Sequence, residues 1–457
     1  VVAQRNRKLH QRQNQAKSNQ YPRIMKPQNF AEKAIWISII WTYGFYAIGG
    51  LYILGSVLAW ILFGYLCVKL WKQNDETPLE ERITIPWGVW VWIVSMLVMQ
   101  VALVMGHLDF NMSLSEIIKS TIGWAKGWAL LALYPLIGCL NIRPQLMYRA
   151  ASRICAFTLA ISIPFVLAFY IRLPQKLYVS PLRAVGGPGP DFFEVMLYEI
   201  DPGEKKPRWR LFTPWAPALG FVANIYFFMI LRESDRKLRW LGIAGCLVMC
   251  QISASRLALI AMPAVWLITL LLSKLSRPMT MIGLGIVSFI SSITLNEILE
   301  AIETFNEKFT AARKDSSRVR AALGRIAKYR WEKEAPIWGH GVVEKGPHLV
   351  EYMPIGSHHS WFGLLFVKGI VGFLALALPM AWSFGDLTVK AQKSESAQVG
   401  LSMVLVLMFY TFGENLEILA YLFWPGLVMM GIGFNAKDRI QEANPLVVKQ
   451  LQEVAKL

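Results

Sequence analysis

Charge and cysteine are both scarce in this chain of 457 residues: 17% are charged and 5 are Cys. Soluble domains carry charge at nearer a quarter of their positions, so an ordinary cytosolic enzyme is excluded. An apolar share of 55% excludes a disordered chain. Cys67, Cys139, Cys155, Cys246 and Cys250 all lie inside apolar runs and form no Cys-x-x-Cys pair. A disulfide scaffold and a cysteine-type zinc site fall with that observation. There is no P-loop, no dinucleotide fingerprint and no internal repeat. Gly186–Pro190 is turn chemistry without a strand-to-helix context. An Asp-x-Asp pair that holds a metal and a nucleotide sugar is also missing; Glu199-Ile-Asp201 is the nearest substitute. Neither a metal nor a cofactor is expected.

What the chain has in abundance is apolar length. A bilayer core takes about 20 apolar residues per helix, and on that ruler about twelve spans are predicted. They run over 34–51, 52–70, 86–106, 120–141, 152–172, 216–231, 240–255, 256–273, 279–297, 359–384, 397–413 and 417–435. The fold class is therefore all-α, a polytopic integral membrane protein.

Lys and Arg total 47 against 30 acids, a formal charge of +17. In a soluble protein that excess points to nucleic acid. Here the bases sit in short stretches between apolar runs, where they set topology, and no nucleic-acid partner is expected. The bases of 1–33 and those at Lys69, Lys72, Arg82, Arg143, Arg149, Arg153, Arg232, Arg236, Lys237, Arg239, Lys274, Arg277, Lys390, Lys393, Lys437 and Arg439 all fall on one side. That side reads as cytoplasmic and holds both termini, with 1–33 a basic tail that favours anionic membrane lipids and 436–457 a second tail. Two long gaps, about 173–215 and 298–358, face outward, together with five of the six histidines (His107, His340, His348, His358, His359). Long translocated loops need an explanation of their own, and they are the first place to look for function.

The later of these loops carries an ordered set of features. Ser316-Ser-Arg-Val-Arg320 opens a helix-like stretch that ends at Glu334-Ala-Pro-Ile-Trp-Gly-His-Gly341. Gly356-Ser-His-His-Ser-Trp-Phe-Gly-Leu-Leu-Phe-Val-Lys-Gly369 follows, and Ser253-Ala-Ser-Arg-Leu-Ala-Leu259 lies upstream. Over roughly residues 205 to 385 this order resembles the O-antigen ligase and O-antigen polymerase family of bacterial inner-membrane glycan transferases. In that family a Ser-Arg pair opens a span, and an Arg opens the large periplasmic loop. A Pro-x-x-Gly-x-Gly then precedes a His that leads a span through Gly. By position these fall on Arg256, Arg318, Pro336/Gly339/Gly341, and His358 with Gly369. Arg210-Leu-Phe-Thr-Pro-Trp-Ala-Pro-Ala-Leu-Gly220 is similar to the family's segment entering a span, with Thr213 and Ala218 in place of the usual Gly and Asn. His359 stands where the family has Asn or Ser.

The resemblance implies an enzyme of the inner membrane. Its donor is a glycan on undecaprenyl diphosphate, its acceptor a glycan or glycolipid, and transfer takes place on the periplasmic side. Residues 34–297 then form spans one to nine, 298–358 the large periplasmic helical loop with the motif residues, and 359–435 spans ten to twelve. Ligase and polymerase differ only in the acceptor, lipid A core or a second lipid-linked repeat. Transfer needs a clamp for the diphosphate and a base for the acceptor hydroxyl. Arginine suits the first, since its planar fork pairs with phosphate oxygens and never deprotonates. Arg256 and Arg318 lead as clamp residues, followed by Arg210 and Arg320; the bland alternatives are a snorkelling anchor and a solvated helix face. Lys126, within a run flanked by Trp124 and Trp128, either lengthens that site or snorkels between the two tryptophans. His358 is the expected catalytic base. A twelve-span secondary transporter or a lipid-linked glycan flippase is the alternative reading. The first predicts two similar halves and the second a basic central cavity, and the sequence offers neither.

Overall fold

A computed structural model describes residues 25–78, 81–185, 187–201, 205–297, 299–300, 303–304 and 314–435, side chains of 314–317 excepted. Most of the basic tail, the C-terminal tail and the first part of the 298–358 loop lie outside the described residues.

Uniformly apolar sequence has become helix almost throughout. In chain order the helices are α1 (Phe30–Ile40), α2 (Thr42–Ala47), α3 (Leu51–Lys72), α4 (Trp87–Asp109), α5 (Leu114–Lys126), α6 (Leu130–Ile137), α7 (Pro144–Tyr170) and α8 (Ala216–Ile230). Then come α9 (Arg236–Ile252), α10 (Arg256–Leu272), α11 (Pro278–Ile293), α12 (Lys314–Glu334), α13 (Ser360–Ala391), α14 (Glu395–Tyr410) and α15 (Leu416–Phe434). By length and composition α3, α4, α7, α13 and α15 are able to cross a membrane, while α8, α10, α11 and α14 are shorter apolar helices. The only strands among the described residues are in the 173–215 loop: β1 (Lys176–Val179) pairs antiparallel with β2 (Glu194–Met196), and β3 (Glu199–Ile200) with β4 (Pro207–Arg208).

Two expected spans are not single helices. The 34–51 run breaks at Trp41 and again at Ile48–Gly50, giving α1 and α2. The 120–141 run breaks after Lys126, for a reason visible in the residues. Ser115, Glu116, Lys119 and Ser120 make α5 amphipathic, a capping box of Ser113 and Glu116 starts it, and none of its residues is buried. Its Leu114, Ile118 and Ile122 recur every four residues and are exposed, as in a helix lying along an interface. The eight residues of α6, by contrast, are all buried.

The axis of the array is α15, 89% buried over its apolar window and packed against α3, α6, α8 and α14. Polar contacts gather at the two ends. At one end Arg149 grips Glu233 with two 2.8 Å hydrogen bonds, and Arg143 pairs with Glu32 at 2.7 Å. The other, here the loop end, collects the α2–α3 turn, the end of α4 and the starts of α8, α10, α13 and α15. Tyr46, Ser180 and Glu194 tie the 173–215 loop to it.

The charge pattern of the sequence predicts an external loop end. In a Cys67→Ala background, Pro190→Cys and Lys345→Cys should then label with an impermeant thiol reagent in intact spheroplasts, and Asp235→Cys should not. The reverse pattern would put the loop end in the cytoplasm.

Candidate active site

Three consecutive residues begin the site. Ser360, the first residue of α13, is buried and stitched across to the α14–α15 turn. Its N–H donates to the Thr411 carbonyl at 2.9 Å, its Oγ donates to the Glu414 carbonyl at 2.7 Å, and that Oγ accepts from the Leu416 N–H at 3.1 Å. His359 is the N-cap: Nδ1 faces the Phe362 N–H at 3.4 Å and the ring lies over Phe362, centroids 4.2 Å apart. His358 takes neither task. It sits half-buried with φ at +62°, a left-handed backbone that turns its side chain away from the cap. The two imidazoles are thus separated by a change of backbone hand, where a 100° step around one helix was the simpler expectation.

Arg320 acts on the same point. On α12 it lies one turn before Gly324, where a Cβ would meet the Phe362 ring at 2.8 Å, so the helix crosses directly over the start of α13. Burial first, and the Arg320 charge second, push the His358 pKa down to about 4. The imidazole is accordingly neutral at physiological pH, as a base must be.

Glu414 is the residue that the sequence reading passed over. It is 3% exposed in the turn between two apolar helices, and the Trp215 indole donates to it at 3.1 Å. Burial pushes its pKa up to about 7, against the opposing pull of Arg320 and of that indole N–H. An acid inside a turn of so few residues between two apolar runs was the available signal, and it deserved the weight given to intramembrane charge.

Arg256 opens α10, next in the chain to a residue that reaches the same turn. The sequence Ser253-Ala-Ser-Arg makes a sharp corner, with Ala254 at φ +50°, and Ser255 caps α10 by accepting from the Ala258 N–H. Arg256 is therefore the first helical residue, half-buried. The next residue, Leu257, comes within 2.8 Å of a Cβ placed on Gly413, beside Glu414. Below Arg256, between α8, α9 and α10, runs an apolar groove of about 360 Å³ lined by Phe227, Leu247, Cys250, Ala258, Leu259, Met262, Pro263 and Trp266.

Of the remaining expected site residues, Arg318 adjoins Arg320 in the chain and the others stand elsewhere. Arg318 is exposed on α12, two positions before Arg320. Arg210 is 3% exposed and donates to the Pro214 and Glu194 carbonyls at 2.6 and 3.1 Å, with Asp191 at 3.4 Å. It holds the 173–215 loop against the helices. Lys126, expected inside a span, is the exposed last residue of α5, because the helix is interfacial and ends there. His107 and His340 are buried and structural: His107 bonds the Leu103 carbonyl and Ser120 Oγ, each at 2.8 Å, and His340 stacks on Phe366 at 4.2 Å. Among the described residues no three of His, Cys, Asp and Glu gather as metal ligands would.

The glycine motifs form one knot. Gly369 has φ +60° and ψ −161°, which breaks α13. Pro336–Gly341 fills the break: the N–H groups of His340 and Gly341 donate to the Phe366 and Val367 carbonyls at 2.8 and 2.9 Å. Those of Ile370 and Val371 donate to the Pro336 and Ile337 carbonyls at 3.0 and 3.3 Å. The orphaned backbone groups of a broken helix are satisfied in this way. Pro-x-x-Gly-x-Gly is therefore a structural insert that fixes the upper piece of α13, and with it His358. A Cβ on Gly369 would land on the Ile337 carbonyl oxygen, so Gly369→Ala should cost about 2 kcal/mol or more and lower the thermal midpoint in detergent.

No curated protein matches the chain. Residues 240–377 match the O-antigen ligase family model, an interval that opens in α9, takes in Arg256, Arg318, Arg320, the Pro-Gly insert and His358, and ends in α13. Over that interval, under a third of the chain, the sequence is similar to the O-antigen ligase family.

Proposed function

We propose that the chain transfers a glycan from a polyprenyl diphosphate to a sugar hydroxyl at the loop end, on the periplasmic side of the bacterial inner membrane. The observation that carries this reading is the convergence of His358, Arg320 and Glu414 at the start of α13, within or beside the family-matched interval. Arg256 and Arg318 join Arg320 as the diphosphate clamp, and the groove below Arg256 suits the isoprenoid chain.

In the reaction the acceptor oxygen forms a bond to the anomeric carbon, and the bond from that carbon to the diphosphate breaks. The electron pair leaves on the diphosphate, whose charge the arginines stabilise. The hydroxyl proton passes to His358. Donor binding prepares that step: a diphosphate paired with Arg320 cancels the charge that depresses the imidazole, so the base strengthens once the donor is seated. Glu414, when ionised, opposes Arg320 from the other side and stabilises the imidazolium.

Purified protein supplied with a lipid-diphosphate glycan and an acceptor in detergent should form the glycosidic product. No gradient exists there, so a transporter or flippase gives none.

The raised pKa of Glu414 also has a cost. Its protonated form favours the fold, and that stability is lost as pH rises from the ordinary carboxylate range through about 7. Glu414→Gln should therefore be the more stable protein at pH 8, by up to about 3 kcal/mol, with no gain near pH 4. Thermal midpoints at the two pH values check this.

A further inference from the structure

Beside the reaction point lies a second set of polar groups that the proposed chemistry leaves idle. Trp128 is 2% exposed, and its indole N–H has no hydrogen-bond partner among the described residues. The preceding Gly127 packs on Glu417, whose Cγ would lie 2.6 Å from a Cβ there. The Glu417 carboxylate faces the Trp128 N–H without a well-formed hydrogen bond between them, and Lys368, 3% exposed, acts on it from α13. From this cluster an aromatic wall leads back to Glu414. Tyr52 packs on Tyr421 at 5.2 Å and on Phe192 at 5.3 Å, and Phe192 packs on Trp215, which holds Glu414. Arg210 Nε, also buried and unpartnered among the described residues, is near enough for its charge to act on Tyr421.

Buried unpartnered donors are costly, and native proteins keep few of them. Two at one aromatic wall, with a carboxylate acceptor and an ammonium, are the groups that read a ring of hydroxyls with an apolar face. We propose that these groups form a sugar subsite: one pyranose of the glycan packs on Tyr52 and Tyr421, accepts from the Trp128 N–H and donates to Glu417. The inference rests on the transfer reaction proposed above. A purely structural charge interaction of Lys368 with Glu417 between α13 and α15, with the Trp128 indole turned toward the carboxylate, is the competing account, and it leaves that N–H without a well-formed hydrogen bond.

Trp128→Phe separates the two, because it removes the indole N–H and leaves the charge interaction of Lys368 with Glu417 in place. In the detergent transfer assay, with donor and acceptor varied separately, it should raise the KM of one glycan substrate about 3- to 10-fold. The rate at saturation and the substrate-free thermal midpoint should stay unchanged. Whichever KM rises says whether the bound ring belongs to donor or acceptor. A second readout does not need transfer: the oligosaccharide released from the source cell's own surface glycan should raise the thermal midpoint of the wild type and not of Trp128→Phe. Failure of wild-type transfer would count against the reaction, while this sugar-dependent shift would still support the subsite. Unchanged KM values for both substrates, or equal shifts in the two proteins, would overturn it. Glu417→Gln, read by the same KM split, serves if Trp128→Phe does not accumulate.

Discussion

His358→Ala is expected to lose about 10²–10⁴-fold in transfer rate while still inserting and still binding the donor. His359→Ala should lose far less, and what it loses should appear as stability, since that ring is an N-cap worth about 1 kcal/mol. Their neighbouring positions make the asymmetry informative. Backbone at φ +62° puts one imidazole under Arg320 and leaves the other over Phe362. The pH dependence adds a second signature. With the His358 pKa at about 4 in the free protein, kcat/KM should keep its contribution from this base down to that pH. Once the donor diphosphate neutralises Arg320, the same group should titrate higher, so the acid limb of kcat should lie above that of kcat/KM. Equal losses at the two histidines would place the base elsewhere, with Glu414 the next candidate.

Replacing the clamp arginines by lysine is expected to be nearly as damaging. An ammonium keeps the charge but not the paired donors, and loss of one charge-assisted contact at a desolvated site costs about 1.5–3 kcal/mol, or roughly 10- to 100-fold in rate. Arg256→Lys, Arg318→Lys and Arg320→Lys should each show this loss in kcat/KM. Full turnover in all three would reduce them to topology anchors. Arg320→Gln carries an independent readout: with that charge gone, the acid limb of kcat/KM should move up even where the rate falls.

The sequence made some of this legible and hid the rest for physical reasons. Spans such as 86–106 and 359–384 were readable because apolar runs near bilayer length have one stable outcome, and α4 and α13 meet them. The 120–141 run misled because mean hydropathy does not see that Ser115, Glu116, Lys119 and Ser120 share one helical side, which makes α5 interfacial and leaves Lys126 exposed. His358, Arg256 and the Pro-Gly insert were found through their order along the chain. Arg320 took precedence over Arg318 only in three dimensions, because the crossing at Gly324 decides which turn of α12 overlies His358. Glu414 and Glu417 stood in plain view, in the turn before α15 and in its first turn. Their importance comes from Trp215, Trp128 and Lys368, which lie far away in sequence.

The knot at Gly369 bears on how relatives of this chain are recombined. Four backbone hydrogen bonds join the Pro336–Gly341 insert to the broken helix, and Gly106 of α4 backs the same insert, with a Cβ there 2.9 Å from the Trp338 carbonyl oxygen. A loop graft that stops at the membrane boundary near residue 359 would cut between plug and socket. Chimeras intended to exchange glycan specificity should therefore carry the loop, α13 through Val371 and the end of α4 as one cassette.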